Sequence, residues 1–240
     1  MTTFKMLAIA VLVLVLISAG LFAYYAIKKS RGNDPLVWES DIKALEEKLV
    51  SQPAKEGAIL FIGSSSIRFW DSIAEDMKPF DVVQRGFGGA KLLDVVHYGQ
   101  RLIEIGVTPS AIVVFAGTND IHPGAVKKPA LLLQRYQQFI DVVRVKYIDV
   151  PVYYIAITPS PMRWEVWNVA QQTNKLIREY SAAENNLFVI DTGAKLLGED
   201  GEPNPDFYIF DGLHLSDKGY AEWTKMILPR LLEDLRPAGG

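Results

Sequence analysis

Cysteine is absent from the sequence, and histidine occurs only three times in 240 residues. The absence of cysteine excludes a disulfide framework, a thiolate metal site and a cysteine nucleophile. Neither sign of charge predominates, and the formal net charge of −3 gives no field that would attract nucleic acid. The histidines and carboxylates show no metal-ligand spacing, so neither a metal nor another cofactor is expected.

The chain combines an ordinary globular composition with a long apolar start. Apolar residues make up 49% and charged residues 22%, which excludes a disordered chain. Residues 6–27 carry no charged side chain, and a helix of that length spans roughly 33 Å, the thickness of a bilayer core. Tyr24 and Tyr25 stand where interfacial aromatics do, and three cations follow: Lys28, Lys29 and Arg31. The pattern predicts a single-pass membrane helix after a short tail, residues 1–5.

A cleaved signal peptide is the alternative interpretation of this segment. Its apolar region would be residues 7–17, and Ser18, Ala19 and Gly20 would supply the small residues of a cleavage site. The apolar run continues past that point, which favours a retained anchor. Positive residues flank both sides, but a leading Lys5 favours export, so the domain that follows is expected outside the cytoplasm.

A linker at residues 28–36 and an alternating α/β domain at residues 37–236 follow. Short apolar runs predict five buried strands. These runs are 58–62, 81–83, 111–116, 152–157 and 187–190. Helical patterns flank and separate them, at 37–50, 129–146, 164–184 and 216–235. Strands alternating with helices indicate a three-layer α/β/α fold around a five-stranded parallel sheet, in which ligands bind at the carboxyl ends of the strands.

Two glycine-containing turns follow the first two strands. Gly63 precedes Ser64, Ser65 and Ser66, so the first turn presents hydroxyl groups and free amides at the start of a helix. Such a cluster alone is more often a helix cap than a functional site. The second turn, residues 86–89, is rich in glycine and could hold an anion, but a plain loop is the commoner outcome.

Polar residues of more specific chemistry follow later strands. Asn119 comes just after the third strand and could donate its side-chain amide to a developing negative charge. Asp211 lies three residues before His214, a spacing that lets one turn of chain bring carboxylate and imidazole together. A histidine with such a partner is the base that a neutral serine nucleophile requires.

Taken in order, these motifs resemble the SGNH, or GDSL, family of serine hydrolases. The resemblance spans about residues 57–235, and Gly-Thr-Asn-Asp (117–120) and Asp-Gly-Leu-His (211–214) are its most specific parts. The stretch around Ser65 departs from the family motif, because Ser64 stands where Asp is usual and Ser66 where Leu is usual. Alignment on the glycine still places Ser65 at the nucleophile. The resemblance implies the SGNH-hydrolase fold, which is flavodoxin-like.

The resemblance also implies a mechanism. His214 would take the proton of Ser65 while Asp211 orients the imidazole, and an acyl-enzyme would form on Ser65. The backbone amides of Ser65 and Gly89 and the side-chain amide of Asn119 would form the oxyanion hole. Arg163 and Trp164 follow the fourth strand and are candidates for substrate binding.

The expected substrates are small-molecule or lipid esters, such as short-acyl esters, lysophospholipids and thioesters. An O-acyltransferase or deacetylase acting on cell-envelope glycans would use the same residues. A phosphate-binding flavodoxin-like module is a further alternative, but the Gly63 turn lacks the Gly-Lys-Ser/Thr ending of a phosphate loop. The last alternative is an inactive membrane-tethered module.

Overall fold

The computed structural model describes residues 34–124 and 128–235. The predicted tail at residues 1–5, the membrane helix at 6–27 and most of the linker lie outside these residues, so they stay predictions. Within the described ranges, no helix combines the length and apolar character needed to cross a membrane.

The chain divides into two compact units, residues 1–40 and residues 41–240. In the described part of the first unit, Asp34 caps a short 3₁₀-helix, Pro35–Trp38, by accepting a hydrogen bond from the amide of Leu36 at 3.0 Å. The predicted helix 37–50 is observed as this 3₁₀ turn followed by α1, which begins at Glu39.

The second unit contains the parallel sheet and its covering helices. Its strands are β1 Ile59–Gly63, β2 Val82–Gly86, β3 Ala111–Phe115, β4 Val152–Ile155 and β5 Leu187–Ile190. The α-helices of the described residues are α1 Glu39–Ser51, α2 Ser65–Arg68, α3 Ile73–Asp76, α4 Leu92–His97, α5 Gly99–Ile103, α6 Pro129–Lys146, α7 Trp167–Ala183 and α8 Asp217–Asp234. Further 3₁₀-helices are Thr118–Asp120, Pro161–Val166, Gly193–Leu196 and Pro205–Phe207.

The sheet has the strand order β2-β1-β3-β4-β5, and all of its strands are parallel. The order reverses between β1 and β3, which is the switch point where ligands bind in flavodoxin-like sheets. Gly63 at the end of β1 is in register with Gly86 of β2 and Phe115 of β3. The loops after these three strands therefore leave the sheet side by side.

Two adjacent tyrosines of β4 show the three layers. The hydroxyl of Tyr153 donates to Asp234 of α8 at 2.9 Å, whereas the ring of Tyr154 packs on Tyr136 of α6 with centroids 5.1 Å apart. Successive side chains of a strand point to opposite faces, so α8 covers one face and α6 the other. The predicted three-layer fold with five parallel strands is thus confirmed.

The boundaries of some elements differ from the prediction. The second strand continues beyond Val83 through two polar residues, which the apolar pattern did not mark. Gln84 donates to the carbonyl of Ile67 at 2.6 Å, and Arg85 donates to the carbonyl of Arg101 at 3.1 Å. These bonds allow polar side chains to be buried in a strand. The helix predicted over 164–184 consists of the 3₁₀-helix Pro161–Val166 and then α7.

Candidate active site

Ser65 lies at the turn from β1 into α2, and close packing of the backbone fixes that turn. A Cβ on Gly63 would lie 2.1 Å from the carbonyl oxygen of Phe115, so only glycine permits the approach of β1 to β3 at this point. The amide of Ser64 donates to the same carbonyl at 3.0 Å. Ser65 is the first residue of α2 and is 8% exposed, in the turn where amides have no acceptor within the helix.

Ser65, His214 and Asp211 form a continuous hydrogen-bonded line. The Nε2 atom of His214 lies 2.8 Å from Oγ of Ser65, and its Nδ1 atom lies 2.5 Å from Oδ2 of Asp211. The other oxygen of Asp211 accepts the backbone amides of Leu213 at 2.9 Å and His214 at 3.0 Å. The structure therefore brings together the three residues that the sequence singled out, in the order base between nucleophile and acid.

The hydrogen bonds to Asp211 decide its charge state. Burial alone would raise the pKa of this carboxyl, but the His214 ring and the two backbone amides outweigh burial, so its pKa lies below the ordinary value of 3.8. Asp211 is consequently ionised at neutral pH. An ionised acceptor at Nδ1 keeps the proton on that nitrogen and leaves Nε2 free to accept the proton of Ser65.

His214 is held from both sides by the rest of the molecule. Its ring meets the ring of Phe69 edge to face, with centroids 5.1 Å apart. Its carbonyl accepts the amide of Ile209 at 2.9 Å, and α8 begins three residues later, capped by the side chain of Ser216. These contacts limit the motion of the imidazole relative to Ser65.

The predicted oxyanion-hole residues lie on two loops that are joined to each other. Asn119, in the 3₁₀-helix after β3, donates from Nδ2 to the carbonyl of Ala90 at 3.0 Å. This bond uses one amide hydrogen and orients the second. Asn119 lines a small cleft together with Ser65. Gly89 is the neighbour of Ala90, is exposed and does not line that cleft, so its role stays a prediction.

A buried ion pair that the sequence analysis did not identify holds these two loops. Asp120 is 1% exposed, accepts from Arg135 of α6 at 2.5 Å with one oxygen and from the amide of Leu92 at 2.9 Å with the other. Burial raises the pKa of Asp120, although the Leu92 amide and Arg135 oppose this rise. One signal was present in the sequence: Arg135 falls between Leu132 and Phe139 on the apolar face of the helix at 129–146, where a cation needs a partner.

Arg135→Met should destabilise the protein strongly, because it leaves Asp120 buried without its cation. We expect a loss of about 3–5 kcal/mol in the free energy of unfolding, measured by urea denaturation. Lys175→Met is the matched control, since it breaks an exposed pair with Glu179 and should cost less than about 1 kcal/mol. Equal losses for the two variants would show that the Asp120–Arg135 pair does not hold the loops.

The two predicted substrate-binding residues lie on the 3₁₀-helix Pro161–Val166, beyond the carboxyl end of β4. The ring of Trp164 stacks on Trp167 with centroids 6.3 Å apart, and the Nε atom of Arg163 is buried without a partner. The chain at Met162 is tied to the catalytic loop, since its amide donates to the carbonyl of Gly212 at 2.9 Å. Neither Arg163 nor Trp164 lines the cleft beside Ser65, so their role also stays a prediction.

Two clefts of the described residues differ in their relation to this site. The small one beside Ser65 is lined by residues that follow β1, β3 and β4, together with Leu213. A wider cleft of about 350 Å³ follows β2 and includes Leu49, Lys55 and Asp81, but none of the predicted site residues. Among the described residues, no group of three or more His, Asp or Glu side chains could hold a metal ion.

A parallel α/β fold that aligns serine, histidine and aspartate beyond its strand ends defines the class of this protein as a hydrolase of the serine type. The sequence model of the GDSL-like Lipase/Acylhydrolase family matches residues 63–222. The chain therefore belongs to this family, whose members include ester-hydrolysing enzymes.

Solved structures from three organisms share the fold. A protein from Streptococcus pneumonia described as a platelet activating factor is 20% identical, with 92% of this chain and 99% of that chain covered and a TM-score of 0.71. A GDSL-like lipase from Bacteroides thetaiotaomicron is 20% identical, with coverages of 84% and 98% and a TM-score of 0.64. A carbohydrate esterase family 3 protein from Talaromyces cellulolyticus is 15% identical, with coverages of 74% and 97% and a TM-score of 0.59. A search of curated proteins found no match. At these identities the likeness concerns the fold.

Proposed function

We propose that the chain is a serine esterase that hydrolyses carboxylic esters through an acyl-enzyme on Ser65. The observation that carries this proposal is the hydrogen-bonded line from Ser65 through His214 to Asp211, with distances of 2.8 and 2.5 Å. Both distances lie within the range over which a proton can pass between a nucleophile and its base.

In the proposed reaction, Nε2 of His214 takes the proton of Ser65 as Oγ attacks the ester carbonyl. The imidazolium that forms is stabilised by ionised Asp211, and it then protonates the leaving alcohol. Water, activated by the same imidazole, cleaves the acyl-enzyme and restores Ser65. The negative oxygen of each tetrahedral intermediate would be bound by the side-chain amide of Asn119 and by the backbone amides of Ser65 and Gly89.

The proposed substrates are esters with short acyl groups. The cleft beside Ser65 is small, which favours a short chain. Similar structures include proteins described as a GDSL-like lipase, a carbohydrate esterase and an acetyl esterase, so acyl esters of lipids or glycans are the classes to test first. The membrane helix predicted at residues 6–27 belongs to this proposal on sequence grounds alone, and it would hold an extracytoplasmic active site near envelope esters.

A fluorophosphonate probe tests the nucleophile directly, because it phosphonylates only a serine that a neighbouring base activates. We expect mass spectrometry of the labelled protein to find the adduct on Ser65. Ser65→Ala should remove the label, and Ser66→Ala should retain it, since no hydrogen bond of the Ser66 side chain joins it to the triad. An adduct that persists in Ser65→Ala would refute the assignment.

A further inference from the structure

Two hydroxyl groups beside the candidate nucleophile are buried without a hydrogen-bond partner. They are Oγ1 of Thr118 and Oγ of Ser160, and both residues line the cleft that contains Ser65. Ser160 is 2% exposed. The two residues follow different strands, β3 and β4, so the sheet topology brings them to one cleft. A buried hydroxyl without a partner is costly, and native proteins contain few of them.

The position of the cleft indicates which part of an ester would occupy it. The leaving alcohol must receive its proton from His214, so it lies on the His214 side of the scissile bond. The cleft is lined by Ser65 and Asn119 but not by His214 itself. The acyl group, which stays on Ser65 after the alcohol departs, is therefore the part that faces Thr118 and Ser160.

The size and polarity of the cleft restrict the acyl group further. It has room for about one water-sized group, so an acyl chain of two or three carbons fits and a long chain does not. A simple alkyl chain there would keep the hydroxyls of Thr118 and Ser160 from water and give them no partner. An oxygen on the second carbon of the acyl group could both accept a hydrogen bond from one hydroxyl and donate one to the other.

We propose that Thr118 and Ser160 form an acyl subsite for short 2-hydroxyacyl groups, such as glycolyl and lactyl. This inference rests on the proposed esterase function and names its acyl specificity. Thr118 and Ser160 bind the 2-hydroxyl, while Asn119 next to Thr118 binds the carbonyl oxygen. The selectivity comes from hydrogen bonds that glycolyl makes and acetyl does not.

Matched ester pairs test the subsite. The ratio of kcat/KM for ethyl glycolate to that for ethyl acetate, and for ethyl lactate to ethyl propionate, is measured by acid release at constant pH. Ser160→Ala and Thr118→Val should each lower both ratios by about three- to tenfold, the effect of one lost hydrogen bond. The greater chemical reactivity of 2-hydroxy esters cancels, because the same pair is compared on wild type and variant.

Ser110→Ala is the control variant. Its hydroxyl is also buried without a partner, but Ser110 precedes β3 and lies at the opposite end of the sheet, so both ratios should equal those of the wild type. Ratios that stay unchanged in Ser160→Ala and Thr118→Val, or that fall equally in Ser110→Ala, overturn the subsite. Fluorophosphonate labelling of Ser65 without hydrolysis of any of the four esters also overturns it, and leaves the nucleophile standing. Absence of both labelling and hydrolysis overturns the esterase function itself.

Discussion

Ser65→Ala is expected to lower kcat for ester hydrolysis by about 10⁴- to 10⁶-fold while the protein stays folded. The loss is large because His214 and Asp211 act only through the Ser65 hydroxyl, so removal of this one group disables the whole triad. Residual hydrolysis above the rate in water would come from the oxyanion donors and from substrate binding. The measurement is hydrolysis of a short p-nitrophenyl ester, with the thermal midpoint recorded on the same samples.

The structure indicates that the fold tolerates this substitution. Ser65 begins a helix, where alanine is the most favourable residue, and its side chain makes one hydrogen bond, to His214. Loss of that bond should cost about 1 kcal/mol, because the imidazole stays partly exposed and can bond to water. Ser66→Ala should keep wild-type activity. An Ser65→Ala variant that is folded and fully active would assign the nucleophile to another residue.

The acid and base of the site were predictable because they are local. Asp211 and His214 are three residues apart, and a turn closed by the amides of Leu213 and His214 brings their side chains into contact. Ser65 is 149 residues from His214, so only the order of the strands brings it to the imidazole. That order followed from the alternation of buried strands and helices, which is a pattern the sequence carries throughout.

Features that depend on partners distant in the chain could not be predicted. Arg135 was visible as a cation on an apolar helix face, but nothing in the sequence identified Asp120 as its partner. The second half of β2 was hidden because the carbonyls that bond Gln84 and Arg85 belong to α2 and α5 and the residues beside them. The convergence of Thr118 and Ser160 on one cleft likewise follows from the register of β3 and β4, which composition does not encode.

Asp211→Asn is expected to lower kcat by about 10⁴-fold through the tautomer of His214. An asparagine could still accept the amides of Leu213 and His214 with its oxygen, so its NH₂ group would face Nδ1 of the imidazole. Nδ1 would then have to accept a hydrogen bond, which moves the ring proton to Nε2. A protonated Nε2 points its hydrogen at Ser65 and cannot take the serine proton. The measurement is kcat for a short-acyl ester at neutral pH, and Ser65 should also react far more slowly with the fluorophosphonate.

The pH dependence of stability separates this effect from simple damage to the fold. The pKa of Asp211 is lower in the folded protein than its ordinary value, so the ionised carboxylate stabilises the fold at pH values above about 4. This contribution disappears as the pH falls through the lowered pKa, where the carboxyl becomes protonated. Asp211→Asn should therefore have a lower thermal midpoint than wild type at pH 7, and the difference should shrink steadily below about pH 4. A difference that stays constant across this range would mean that the ionised carboxylate does not hold His214, and a variant with wild-type kcat would remove Asp211 from the triad.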